Sequence, residues 1–433
     1  MALTKVKTGG LTDGSVTAAK LTDGSVTAAK ITDGTITAAK LAAGVLDGGG
    51  GAISWQSSVK TSSFTGVVGE GYFVDTTSSS VTVTLPSSPS VGDLISFVDY
   101  GGNTTVNPII FTTSDNIEGG SADKGIQYSK GAVQLVFSGT TKGWLASIAS
   151  GEGSEPLRTP VTSVDVNFLV LAGGGGQNSN GYYNGGAGAG GLRTSTGSTY
   201  SGGGSSLESA LTLNLLQDYT ITLGAGGSAR SSFFQNAGDG TDTTFASITA
   251  DGGAGGYYNG SNSGGCGAGG GSNNVASRAG GAGTAGQGFA GGASSSTNNG
   301  GPGGGGGTAS AGGTGSGQVG GAGGAGINNN ITGTLSYYGA GGGGMRGGGS
   351  GGGYGANGTG WSATRAQTGH GGSQSTPTGG SGVIILKYPA TFTATFSSGA
   401  VQNTGQISWN GALYNVSTIT GGSGDTVSFA YTG

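Results

Sequence analysis

The pattern of apolar and polar positions changes several times along this chain, and each change marks a different kind of element. Four runs alternate or stay apolar over strand lengths: 81–85, 94–98, 133–137 and 144–148. Turn clusters such as Pro86-Ser87-Ser88-Pro89 separate them, which predicts a small all-β, sandwich-like domain over 52–150. Further apolar runs at 166–171 and 383–388 predict two strands far apart in the chain, with a third at 219–223 between them. Beyond Pro389, residues 392–396 alternate, Asn410-Gly411 lies between the runs 407–409 and 413–416, and 427–431 forms a last run. Asn-Gly between alternating runs is a strong hairpin signal. A short C-terminal β domain is therefore expected over 389–433. It is small for a core of its own, so symmetry mates or the region before it must complete it.

Most of the 105 glycines of the chain lie between Gly173 and Gly382. Dense blocks occupy 185–191, 301–307 and 347–353. Glycine-rich chains are ordinarily flexible coils. Two features predict a fold instead. The strand-like runs bracket the stretch, and large apolar pairs recur within it: Tyr182-Tyr183, Phe233-Phe234, Tyr257-Tyr258 and Tyr337-Tyr338. Disordered segments rarely carry aromatics. A physical route to order also exists. A polyproline-II-type helix has three residues per turn and no internal hydrogen bonds, and without Cβ atoms such helices can lie side by side and pair their backbones. About 1 kcal/mol net per hydrogen bond roughly offsets the ~0.5–1 kcal/mol that each ordered glycine costs relative to alanine. The expectation is a polyglycine-II-type helix domain over 161–388, after a linker at 151–160.

Residues 11–40 repeat every ten: Leu-Thr-Asp-Gly-Ser-Val-Thr-Ala-Ala-Lys twice, then a variant beginning at Ile31. Each decad carries two sizeable apolar residues, Val16, Val26 and Ile36 among them, too few for a core. Such repeats need neighbours. Residues 1–47 are thus expected to form an intertwined shaft shared by several subunits, with a hinge at 48–51.

The entry 168–176 (Phe-Leu-Val-Leu-Ala-Gly-Gly-Gly-Gly), the internal 219–227 (Tyr-Thr-Ile-Thr-Leu-Gly-Ala-Gly-Gly) and the exit 382–388 (Gly-Val-Ile-Ile-Leu-Lys-Tyr) resemble the glycine-rich domain of bacteriophage tail-fibre proteins, those of marine phages and cyanophages above all. The decads, and the set Gly71 to Thr77, Leu85 to Pro89, Gly92-Asp93 and Val98 to Tyr100, are similar to shaft elements of such fibres. A related polyglycine-II sandwich occurs in the distal adhesins of T-even-like phages. The resemblance implies a homotrimeric fibre in the virion, joined at its N-terminus to the tail or to an adaptor protein. It also implies loops at the end of a glycine stack that bind a glycan or protein of the host's outer surface.

Composition narrows the chemistry. Charged residues make up 8% of the chain and the net charge is −4, so no basic patch for nucleic acid is expected. The single cysteine, Cys266, rules out an intrachain disulfide and a cysteine-based metal cluster. The N-terminal residues 1–7 carry no apolar core, so no signal peptide is expected, and assembly in a bacterial cytoplasm fits. His370 stands alone and is expected at the surface. Asp239, Asp242 and Asp251 lack the spacing of a calcium loop. No nucleophile–base pair is visible, and the sparse acids do not suggest the paired carboxylates of a glycosidase. The expectation is a binding protein without catalysis, cofactor or metal.

Recognition must come from what interrupts the glycine blocks. The inserts combine Tyr or Trp with Asn and Ser, the composition of natural binding loops. The candidate receptor contacts are Tyr182, Tyr183, Tyr257, Tyr258, Tyr337, Tyr338, Trp361 and Arg365. The alternative to a receptor-binding fibre is a decoration fibre on head or tail without a receptor role.

Overall fold

The computed structural model describes residues 17, 27, 53–150, 157–179, 183–232, 235–272, 277–297, 300–346, 369–372 and 377–432. The decad repeats and the hinge, apart from Thr17 and Thr27, lie outside these residues. The described chain is all-β with no α-helix, and it divides into two compact units, Met1–Pro160 and Val161–Gly433.

The first unit winds between two sheets. Strands β1 (Ser54–Trp55), β3 (Glu70–Val74) and β5 (Leu94–Asp99) lie parallel in one, and β2 (Phe64–Thr65), β4 (Val81–Thr84) and β6 (Ile109–Thr112) lie parallel in the other. Odd strands thus belong to one sheet and even strands to its neighbour. β7 (Lys124–Ile126) then pairs antiparallel with β6, while β8 (Ala132–Phe137) and β9 (Trp144–Ser150) extend the first sheet antiparallel from β5. Alternate residues of both sheets point inward, and Val81, Val83, Ile95, Phe97, Ile109, Phe111, Leu135 and Trp144 form the core. The all-β expectation holds; the parallel winding was not expected. The linker expectation is corrected in part. Leu157 is buried in this core, and Arg158 exchanges backbone hydrogen bonds with Gly125 at 2.8 and 3.0 Å, so the described residues 157–160 belong to the first unit.

The second unit has a base of β-strands. β10 (Ser163–Leu171) is central: β11 (Leu192–Thr194) and β12 (Leu211–Asn214) pair with it, and so does β18 (Val383–Pro389). A second sheet holds β13 (Tyr219–Thr222), β14 (Thr243–Phe245), β15 (Ile248–Ala250), β19 (Phe392–Phe396) and β22 (Ser423–Tyr431). β16 (Ile327–Asn329) and β17 (Ser336–Tyr338) form a separate hairpin. β20 (Val401–Trp409) and β21 (Ala412–Gly421) form another, turning at Asn410 (φ 51°) and Gly411 (φ 82°), and β21 pairs with β18. The expectation of a separate C-terminal domain over 389–433 is therefore corrected. β22 pairs with β13 and β21 with β18, and Val427, Phe429 and Ile419 are buried beside Phe168, Ile221 and Ile384. The tail has no core of its own because its apolar faces complete this one.

Eight of the described glycine segments adjoin that base. β10 leads into 173–177, β13 into 224–228, β15 into 251–256 and β17 into 339–345; 185–191 runs into β11, 237–241 into β14, 320–326 into β16 and 379–382 into β18. The first segment shows the rule. Ala172 and Gly175 donate to Gly191 and Gly188 (3.0 and 2.9 Å), Gly173 and Gly176 to Thr241 and Gly238 (3.1 and 2.8 Å), and Gly174 and Gln177 to Gly380 and Pro377 (2.9 and 2.5 Å). Each neighbour is addressed by every third residue, which is the geometry of three residues per turn. In 185–191 the same holds: Gly185, Gly188 and Gly191 donate to Tyr257, Ala254 and Asp251, while Gly186 and Ala189 donate to Gly303 and Gly306. Glycine is required by the close approach. A Cβ on Gly186 would stand 2.0 Å from the Gly342 oxygen, and one on Gly304 2.0 Å from that of Ala322. Where room exists, buried alanines at 187, 189, 254 and 268 take it. Pro302 fits because its fixed φ suits this helix; it gives up one donor but still accepts from Gly321 at 2.8 Å.

Candidate functional site

The hydrogen-bond registers also give each segment a direction. Segment 173–177 leaves the base and 185–191 returns to it, since 172 pairs with 191 and 175 with 188. Extending the argument, 251–256 and 264–272 run outward, 300–307 returns, and 339–345 runs outward. The described residues 178–179, 183–184, 228–232, 235–236, 272, 277–278, 294–297, 300 and 316–319 therefore lie at one far end, opposite the strands. The bare lattice offers only backbone, so side-chain chemistry concentrates at its two ends.

At the far end Tyr183 and Tyr258 meet edge to face, with ring centroids 6.5 Å apart at 70°. The Arg346 guanidinium lies over the Tyr183 ring, 4.9 Å from its centroid. Backbone bonds set this arrangement: Gly185 donates to the Tyr257 oxygen (2.9 Å), Ser272 to that of Tyr183 (2.9 Å) and Met345 to that of Asn184 (3.1 Å). Gln177 sends its side-chain amide to the Gly343 oxygen at 3.3 Å. Segment 343–346 is thus where residues 177, 183 and 184 converge. Asn184 is wholly buried, and both atoms of its amide lack a hydrogen-bond partner, as do Gln177 Oε1 and Arg346 Nη1. Each such atom costs about 1–3 kcal/mol. Two more arginines stand at this end. Arg230 donates its backbone N–H to Gln177 and accepts from Ser179 (3.2 and 2.8 Å), and the Arg278 oxygen accepts from Ser294 (2.8 Å).

Of the expected contacts, Tyr183, Tyr257 and Tyr258 come together here, all half-buried. Tyr337 and Tyr338 do not join them. They lie on β17 at the base, where Tyr338 is 7% exposed and packs with Leu192 and Ile327. Its ring packs in the core rather than at the far end. Tyr182, Trp361 and Arg365 lie outside the described residues. Arg346, Asn184 and Gln177 were missed. Their only signal is position: each stands where a glycine block meets an insert.

The acids stay at the other end or inside the lattice. Asp242 and Asp239 accept from the N–H groups of Gly252 (2.8 Å) and Gly255 (2.7 Å), and Asp251 accepts from the Thr284 hydroxyl (2.8 Å). These carboxylates serve lattice segments rather than a cation, and no metal-holding group of His, Cys, Asp or Glu occurs among the described residues. At the base Arg193 is held by Glu208 at 2.6 Å. Lys387, 2% exposed, lies 3.7 Å from the Trp409 ring centroid and 5.2 Å from that of Tyr414, and burial lowers its pKa to about 8. His370 is corrected from surface to interior. It is 8% exposed, its Nδ1 lies 3.2 Å from the Gly371 oxygen, and burial lowers its pKa. The buried Cys266 thiol, pushed up to about 12 by desolvation, is inert packing.

This arrangement defines an all-β protein with a backbone-paired glycine lattice on a stranded base. Residues 150–389, more than half of the 433, match the family described as Glycine-rich domain, and the chain belongs to that family. Among curated proteins none matches the chain significantly.

Proposed function

We propose that this protein is a bacteriophage tail fibre that holds the host cell surface by non-covalent recognition. In this reading it is a virion component and a homotrimer. Residues 1–47 join it to the tail or to an adaptor protein, and no catalysis is involved. The observation that supports the reading is the single far end of the glycine unit. The lattice pairs its backbone groups within itself and so holds the described residues at that end. The inserts that turn there supply Tyr183, Tyr257 and Tyr258 with short polar neighbours. Rigid aromatic anchors with adaptable hydrogen-bonding neighbours suit recognition at low entropy cost.

Two measurements test it. Labelled protein is incubated with a panel of bacterial strains, and antibodies to it are imaged on virions. Adsorption to some strains, with label at the tail, is expected. Label on the head with adsorption to no strain replaces this reading with the decoration fibre. At a true contact, Tyr183→Ala or Tyr258→Ala weakens adsorption by about 1–2 kcal/mol or more.

A further inference from the structure

We infer that two copies of this chain pair edge to edge through β20, antiparallel, with Gly405 on the two-fold axis. This pairing goes beyond the attachment reading and does not depend on it.

β20 is the open edge of its sheet. Among the described residues it pairs with β21 alone, and residues 401–406 are exposed throughout. Other edges of the two base sheets are short or covered. β11, β12 and β15 span only three or four residues, and the Phe392 oxygen of β19 accepts from the Asn415 side-chain amide at 2.8 Å. β20 also lacks the devices that protect an edge. Residues 401–409 contain no charge and no proline, and the one irregularity of its ladder lies at the first step, between Val401 and Gln402. A strand of nine residues with an open row of backbone donors and acceptors is a template for another strand.

The turn fixes which groups face outward. Asn410 and Gly411 both have positive φ, the two-residue turn in which the flanking pair, Trp409 and Ala412, exchanges both hydrogen bonds. By alternation Ile407, Gly405 and Asn403 also bond to β21, while Gln402, Thr404, Gln406 and Ser408 present N–H and C=O to the open side. The Leu413 oxygen agrees: Leu413 stands opposite Ser408, and its oxygen accepts from Ala390, just after β18, at 3.0 Å. The outward residues are symmetric about Gly405, and this symmetry selects a second copy as the occupant. With a two-fold axis at Gly405, Gln402 faces Ser408 of the partner subunit and Thr404 faces Gln406 of the partner subunit. Every outward donor then meets an acceptor, and no charge opposes its own image. On one face Val401, 61% exposed, falls opposite Trp409 of the partner subunit. Gly405 meets its own copy, and no atom of its own chain lies within 4 Å of a Cβ built there. Closed two-fold pairing is the commonest association between identical chains.

Cysteine cross-linking of the full-length protein tests the pairing. Across the axis the two copies of residue 405 form a non-hydrogen-bonded pair with Cα atoms about 4.5 Å apart, within the range a disulfide spans. Gly405→Cys should therefore give a disulfide-linked dimer on mild oxidation. Gln402→Cys, also exposed but further from the axis, should give about tenfold less. The native Cys266 is buried and adds no background. Equal linking by the two variants, or linking by neither, overturns the inference. Thr404→Lys combined with Gln406→Lys sets like charges across the axis at exposed sites. It should halve the mass measured by light scattering and leave the melting temperature unchanged. Six copies falling to three supports both the pairing and the homotrimer. Two falling to one supports the pairing and removes the homotrimer. A mass that the lysines leave unchanged overturns the pairing, and a stable three then leaves the homotrimer standing. Should the lysine variant misfold, the cross-linking decides alone.

Discussion

The two units of this chain reach order by opposite means. In the first, Phe97, Phe111 and Trp144 are buried between two sheets, and the backbone pairing follows from the side chains' need to leave water. In the glycine lattice almost no side chain is available to bury, and the backbone itself is the packed object. Glycine loses more conformational entropy than any other residue, and the net gain per hydrogen bond is only about 1 kcal/mol. The lattice alone is therefore close to balance, and the strands at its base tip it. Val166, Phe168 and Val170 of β10 and Ile384 and Leu386 of β18 are buried in the base, and segments such as 173–177, 185–191, 251–256 and 339–345 continue from a strand or run into one. A side-chain core tolerates conservative repacking. A backbone lattice has no such latitude, because a single Cβ meets a carbonyl oxygen.

The sharpest break of that contrast is Gly304→Val. Its Cβ would stand 2.0 Å from the Ala322 oxygen, so the second unit should lose on the order of 5 kcal/mol or fail to fold. Protease resistance and thermal melting report it, and an unchanged melt would refute the packed lattice. Phe97→Ala is the counterpart in the first unit, where the lost transfer energy and the cavity should cost about 3–5 kcal/mol in denaturant titration. A much smaller loss would mean that this unit does not depend on its core as described.

Acid should separate the units next. Burial holds the His370 pKa in the folded state below its ordinary 6.5, so the unfolded chain takes up a proton first as pH falls. The stability from keeping His370 neutral is complete above about pH 6.5 and is lost as pH falls below it toward the folded-state value. The melting temperature of the second unit should drop over that window, and His370→Gln should flatten the drop. Glu208→Gln removes a half-exposed ion pair and should cost less than about 1 kcal/mol, with the difference vanishing in high salt. Gly405→Ala is the smallest change. No atom lies within 4 Å of its added Cβ, so stability should stay within about 0.5 kcal/mol. A large loss there would show that glycines matter in this chain for reasons other than close approach.

Much of the strand content was legible in advance because alternation is a local property. The runs at 81–85, 94–98, 166–171, 219–223 and 383–388 coincide with β4, β5, β10, β13 and β18, and Asn410-Gly411 marks its hairpin. The glycine blocks showed that close backbone packing was possible. The candidate site was legible only in part. Tyr183, Tyr257 and Tyr258 share one end, but Tyr337 and Tyr338 carry the same sequence signal and lie at the other. A Tyr-Tyr pair beside a glycine block reads alike whether the chain is turning outward or entering a base hairpin.

By itself, then, the sequence determined the elements: strands by period two, close-packed segments by the loss of Cβ, and the near absence of charge. Tertiary structure alone decided which segment lies beside which, in what direction, and what gathers at each end. The physical reason is that glycine segments have no side chains with which to specify register. Gly174 and Gly186 are the same residue in the same local context, yet one pairs with Gly380 and the other with Gly303. The base strands set that choice for the segments that adjoin them, and the lattice brings Arg230, Arg278 and Arg346, far apart in the chain, to one end.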